Sequence, residues 1–457
     1  MLFNEERKMN IAFIVLLLII RLMYLFITFK LLAKAWYVGS GSYNINLNTS
    51  KELPALIVYS ILAIFLIKEQ NKMKTSFSSV LINMLFLIYI MPVNCSYVLN
   101  DLSTQYFIAT SIFELMLIYI ISSVGKKSST SLDYMCKEIS TSKFITIFVF
   151  LICLCYIFYK FLYNGFSFSV SLDSDSVYST RANYVDSLQA LSATPVGYLL
   201  ALVTSSVAYA CPLYLIISLK NRSFAGIFIS LFTVLCQFSV SSSKEVLLFP
   251  MIVIGVLFLS KNNKINQFNK YIFFAAFFIF LICIIEYIIC GKSSLYILVI
   301  RRIFYYPAWL NSYYYDFFSM NKSLHWSQNV FILQNIIPNV YSLGPLELIS
   351  KTYYNGQIAS PNTGLFAEIF MHFKYYGFFI YFFIYKWLFK YANSVYKQFG
   401  EVVEIIIAIK FAMTLTNVPV TRTDFVLSFI LMTAILWFCE NTKVKNGRLI
   451  LIYGKSN

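Results

Sequence analysis

The chain holds only two histidines, His325 and His372, and few other side chains that could move a proton at neutral pH. His372 follows Glu368 by four residues. On a helix that spacing puts the two on one face, where a carboxylate can orient an imidazole or share its proton. Both histidines also have a plain alternative reading as satisfied structural residues. A second set is basic: Arg181, Lys244, Arg301, Arg302 and Arg422 all stand beside apolar runs rather than inside them. A guanidinium fork suits a phosphate or pyrophosphate, and contact with anionic headgroups is the competing use. Arg181 lies in Tyr178-Ser-Thr-Arg181-Ala-Asn-Tyr184, in a segment (164–191) with three Asp against one Arg. Such a segment has no general affinity for anionic lipid, which favours a specific role for Arg181 and for Tyr184 beside it.

Ionisable residues inside apolar runs form a third set, because each is costly there. Arg21 and Glu114 lie in the middle of runs, Lys410 lies within one, and Glu286 lies near the end of another. The structural alternative is an internal ion pair such as Arg21 with Glu114. Lys160 and Lys386, near run ends, are expected to snorkel. Asp173-Ser-Asp175 has the spacing of a nucleotide-sugar metal motif but sits in a Ser-rich loop and reads as solvated. Of nine cysteines, only Cys95 falls in an outer loop, and no spacing of Cys or His suggests a metal or a disulfide framework. No Gly-rich phosphate loop and no Ser-His-Asp arrangement is present. No cofactor and no metal are therefore expected.

The elements that must carry these residues follow from composition. The 457 residues are 59% hydrophobic and 12% charged, with a mean hydropathy of +0.71. A soluble domain carries about 25% charged residues, so a soluble enzyme, a disordered chain and a nucleic-acid binder are excluded. The net charge of +16 resolves into short loops between apolar runs. Those runs cover about 11–29, 53–67, 77–93, 105–124, 144–163, 192–219, 225–240, 246–260, 271–290, 375–391, 401–416 and 425–438. Without period-2 alternation they predict helices, since lipid offers no partner for an open strand edge. The expected fold is all-α, a polytopic membrane protein of about twelve spans. Lys and Arg number 20 in the short loops on the side of the N-terminus and 6 in those opposite. Both termini are therefore expected in the cytoplasm. Residues 1–290 form the first nine spans with a smaller outer loop at 164–191. Residues 291–374 form a large outer loop, and 375–457 form three spans and a cytoplasmic tail. In the large loop nine aromatics fall between Phe304 and Phe318, and this stretch predicts a helix at the outer membrane interface.

The loop closes on Asn362-Thr-Gly-Leu-Phe-Ala-Glu368-Ile-Phe-Met-His372-Phe-Lys-Tyr-Tyr-Gly377. This stretch resembles the N-T-x-x-x-A-E-x-Y/F-x-x-F-G-x-x-G signature of the O-antigen polymerases, the Wzy-type oligosaccharide repeat-unit polymerases, with Lys374 where the family often has Gly. The count of spans, the late outer loop and the smaller Arg-containing loop are similar to that family. So is the pair of runs joined by Ser241-Ser-Ser-Lys244-Glu245. The resemblance implies a GT-C-like architecture in the bacterial inner membrane and glycosyl transfer at its periplasmic face. The growing glycan would leave undecaprenyl pyrophosphate for a hydroxyl of the next lipid-linked repeat unit. Arg181, Lys244, Arg301, Arg302 and Arg422, with Tyr184, would bind substrate, and Glu368 or His372 would be the base. The implied partners are lipid-linked glycan donor and acceptor, membrane lipids and a chain-length regulator, with no nucleic acid. An O-antigen ligase shares the chemistry, and a flippase or transporter of lipid-linked oligosaccharide is the alternative from another class.

Overall fold

The computed structural model describes residues 2–33, 36–37, 41–42, 45–73, 75–129, 143–165, 195–241, 244–330, 333–354, 364–422, 425–430, 432–433, 442–445 and 448–451. The described chain is helical apart from two short antiparallel ribbons, Trp36–Tyr37 with Gly41–Ser42 and Thr442–Lys445 with Arg448–Leu451. Among the described residues seven helices are long and apolar enough to cross a membrane. They are α1 (Leu2–Leu32), α2 (Glu52–Gln70), α3 (Phe77–Leu99), α4 (Thr104–Ser129), α5 (Lys143–Asn164), α6 (Pro195–Lys220) and, later, α9 (Phe268–Cys290). Two shorter apolar helices intervene, α7 (Phe224–Ser241) and α8 (Lys244–Lys261). The late runs coincide with α13 (Gly377–Tyr396), α14 (Glu401–Asn417) and a π-helical piece, Val426–Ile430.

Contacts group the chain into two compact units. The first joins residues 1–133, 266–393 and 408–422 and contains the family-like stretch. Its centre is α3: 94% of its apolar window is buried, against 22% for α9. α3 packs on α4 and α9, and α9 packs on α1. The second unit, residues 134–265, 394–407 and 423–457, packs α5, α6 and α7 on one another, with α8 against α6 and α7.

Local chemistry sets the ends. Ser76 caps α3 reciprocally: its hydroxyl accepts the Ser79 N–H while its own N–H donates to Ser79 Oγ. α9 stops at Gly291, left-handed at φ +69°. Glu286 then turns outward from α9 and accepts bonds from Ser293 Oγ (2.7 Å), Ser294 N (2.8 Å) and Leu295 N (3.3 Å). That carboxylate starts the next helix, so Glu286 is a cap and not an intramembrane charge. The next helix begins as a π-helical stretch, Tyr296–Tyr305, and runs on as α10 (Tyr306–Met320). Pro307 follows the last π residue by two positions, as Pro92 follows the π stretch Phe86–Ile90 of α3. A widened turn makes room for a ring that would otherwise strike the carbonyl four residues back. Hence α3 passes through Pro92 and reaches Leu99, and Cys95 is buried in a helix rather than set in a loop.

Two further expectations are corrected, and two lysines gain defined surroundings. Arg21 does not pair with Glu114: its guanidinium forks onto Glu52 (2.5 and 3.2 Å) and its Nε donates to Asn94 Oδ1 (2.9 Å). Glu52 begins α2 and reaches inward to the buried arginine. Lys160 is buried, with its ammonium on the Gly165 carbonyl just past the end of its helix (2.7 Å); Lys386 is exposed and lies over the Phe382 ring. Finally, the aromatic stretch is helical but faces protein. Tyr305, Trp309, Tyr314, Tyr315 and Phe318 are buried, and Asn311 donates to Tyr89 in the middle of α3 (3.1 Å).

Candidate functional site

The family-like stretch folds as α12 (Phe366–Phe373), an eight-residue helix whose side chains from Phe366 to His372 are all buried. A helix this short does not hold by itself in water, so its anchors decide its position. At the N-terminus the Tyr89 hydroxyl accepts the Phe366 N–H (3.4 Å). At the C-terminus the Leu324 and His325 N–H groups bond the carbonyls of Met371 (2.9 Å) and His372 (3.1 Å). One side lies on α10, which also carries the intervening α11 (Pro345–Tyr353). Gly364 presses against the end of α14, where a Cβ would stand 2.1 Å from the Leu415 carbonyl oxygen and 2.7 Å from that of Val418.

Backbone strain gathers at this helix. His325 (φ +48°), Trp326 (+61°), Asn329 (+61°), Leu365 (+51°) and Lys374 (+50°) are left-handed non-glycine residues on its flanks and docking loop. Each such residue costs on the order of 1–3 kcal/mol. The packing described above must supply it.

Glu368 sits in the first turn of α12 and His372 in the last, each at the end of the helix dipole that favours its type. The Glu368 carboxylate is fully enclosed and meets only donors. Val420 N (2.8 Å) bonds Oε2, while Thr421 N (3.0 Å), Thr421 Oγ1 (2.8 Å) and Tyr381 OH (3.3 Å) bond Oε1. α12 lies outside the spanning helices, and burial there pushes the Glu368 carboxyl up to about 7 although these four donors pull it down. His372 is also fully enclosed, and burial first, then the neighbouring His325, lowers it to about 3. It is therefore neutral. Its Nδ1 accepts the Trp326 N–H (3.3 Å), which places the proton on Nε2, an atom without a partner. Glu368 and His372 are linked through Trp326, whose indole N–H donates to Tyr381 OH (3.2 Å), the hydroxyl that in turn donates to Glu368. His325 is exposed beside His372.

Arg422 directly follows the turn that Glu368 holds. It is half-buried and within electrostatic reach of the Tyr314 hydroxyl. Arg301 and Arg302 are half-buried on the π-helical stretch, with the Arg301 guanidinium 5.8 Å from the centre of the Tyr306 ring. Lys244 is the first residue of α8, in the second unit. Arg181 and Tyr184 lie outside the described residues, as does Asp173-Ser-Asp175. Among the described residues no three His, Cys, Asp or Glu side chains gather as a metal-binding group. The structure thus brings Glu368, His372, His325 and Arg422 to one region and adds Trp326, Tyr381, Thr421 and Tyr89. Trp326 and Thr421 were adjacent in sequence to His325 and Arg422; nothing in the sequence marked Tyr381 or Tyr89.

No family model matches the chain, and no curated protein and no solved structure matches it.

Proposed function

We propose that this protein is an O-antigen polymerase of twelve spans, GT-C-like, with both termini in the cytoplasm and its site on the periplasmic side of the bacterial inner membrane. The observation that supports this reading best is the stretch resembling the polymerase signature. It is a short, strained, fully enclosed helix, a form that ordinary loop closure does not require, and it carries the acid of that signature, with His372 at one of the signature's variable positions, beside an arginine. In the reaction the bond between the anomeric carbon and the pyrophosphate oxygen breaks, and the pyrophosphate leaves with the electron pair. An acceptor sugar oxygen forms the new glycosidic bond and gives up its proton. Arginine forks stabilise the leaving pyrophosphate; Arg301, Arg302 and Arg422 fill that role, with Arg181, Tyr184 and Lys244 as further contacts.

The geometry refines the proton-handling assignment. Glu368, with four donors on it, braces the Val420–Arg422 turn and so orients Arg422. A neutral His372 offers Nε2–H as a donor, and the exposed His325 beside it is the group open to an acceptor hydroxyl. The discriminating experiment is the lipopolysaccharide pattern of a strain lacking the protein. Core capped by a single repeat unit supports the polymerase. Unsubstituted core means a ligase or a flippase, and lipid-linked units accumulating on the outer face then separate ligase from flippase.

A further inference from the structure

The first unit contains a second buried carboxyl, and nothing in the transfer reaction uses it. Glu114 lies in the middle of α4, 1% exposed, and its Oε1 has no hydrogen-bond partner among the described residues. Among the described residues no cation pairs with it; the buried Arg21 is taken by Glu52 and Asn94. Among the described residues the titratable groups within its electrostatic reach are Tyr89 from α3 and Tyr106 from α4 itself. α2, which also packs on α4, brings none to it. An ionised carboxylate with no cation beside it and one oxygen left without a donor is far costlier to enclose than a protonated one. An ionisable residue at such a position is a functional candidate by default.

Buried tyrosine hydroxyls stand within electrostatic reach of both this carboxyl and the site. Tyr381 donates to Glu368. Tyr385, one turn further along α13, is within electrostatic reach of Glu368, Tyr381 and Tyr89, and its buried hydroxyl has no partner. Tyr89 is in turn within reach of Glu114. Glu368, Tyr381, Tyr385, Tyr89 and Glu114 are each at most 1% exposed. Enclosed polar atoms without protein partners are where ordered water sits. A hydroxyl or water can donate and accept at once, so a row of them passes a proton by breaking one O–H bond as the next forms, with no other change.

We propose that Glu114 is a proton-binding site inside the helix bundle, joined to Glu368 through Tyr89, Tyr385 and Tyr381, with bound water completing the row at Glu114 and Tyr385. This goes beyond glycosyl transfer and requires no substrate. It gives Glu368 a route for protons through the interior of the first unit, separate from the outer solvent at His325.

Infrared spectroscopy of the purified full-length protein in detergent reads the site directly, because a protonated carboxyl absorbs apart from a carboxylate. The wild type should show a protonated-carboxyl band that is lost in Glu114→Gln and shifted in Glu114→Asp, with both variants monodisperse. Transfer to heavy water should exchange that proton, and Tyr385→Phe should slow the exchange while leaving the band in place. A spectrum unchanged in both Glu114 variants overturns the site. Exchange as fast in Tyr385→Phe and Tyr89→Phe as in the wild type overturns the connection. Should Glu114→Gln aggregate, Glu114→Asp alone decides, since a protonated aspartic acid must still move the band.

Discussion

Glu368 and His372 share a helix face, as their four-residue spacing predicted, yet neither is a simple base. The carboxylate is surrounded by donors, and the imidazole is enclosed and neutral. Replacing Glu368 by Gln turns an acceptor into a donor facing the Val420 or Thr421 N–H, and a buried unsatisfied group costs about 1–3 kcal/mol. Glu368→Gln should therefore lose activity together with thermal stability, and Glu368→Asp should restore part of both if the residue braces the Arg422 turn. Stability also carries a pH signature. Folding raises the carboxyl from its ordinary 4.5 to about 7. Between those values the folded chain keeps a proton that the unfolded chain has released. This contribution is present below the ordinary carboxylate range and is lost as pH rises through about 7. Melting temperatures of the wild type should fall relative to Glu368→Gln across that interval; parallel pH curves would refute the buried titration. For His372, Gln presents its side-chain N–H near the position of Nε2, so His372→Gln should retain more polymerising activity than His372→Ala. Equal loss in the two would remove the donor role.

Helices were the most legible elements, because uninterrupted apolar runs leave the backbone no other way to satisfy itself in lipid. Each of the first eleven runs coincides with a helix, and the ends moved where a local device intervened. The run ending at residue 93 put Cys95 in a loop, but the π turn before Pro92 let α3 continue to Leu99; Glu286 looked like an intramembrane charge and is the cap of the next helix. Side-chain partners were not legible, since they depend on which helices meet. Arg21 and Glu114 had matching signs and depths, and Glu52 claimed the arginine because α2 delivers it to the open end of the guanidinium. α12 was visible only as a motif. Its seat on α14 depends on Gly364, and no spacing rule reveals that contact. Gly364→Ala forces a methyl onto two backbone oxygens that cannot move aside, and overpacking of this kind costs about 1–3 kcal/mol or more. Expected are a lowered melting temperature and lost polymer formation, measured on purified protein. An unaltered melting curve would show that α12 does not need this seat.

At the scale of the whole molecule, a chain whose described residues include seven helices long and apolar enough to cross a membrane must dispose its charges by side. Reporter fusions after Lys72, Lys137, Lys264 and Asn446 should read cytoplasmic, and fusions after Ser174 and Asn355 should read periplasmic. A cytoplasmic signal at Asn355 would put α12 on the wrong side for lipid-linked repeat units. The polymerase reading itself is tested most directly by mixing the purified protein with purified undecaprenyl-pyrophosphate-linked repeat units and resolving the glycans by length. The account predicts a ladder spaced by one repeat unit, formed without nucleotide and shortened in Glu368→Gln. Intact single units after incubation with folded protein would contradict it.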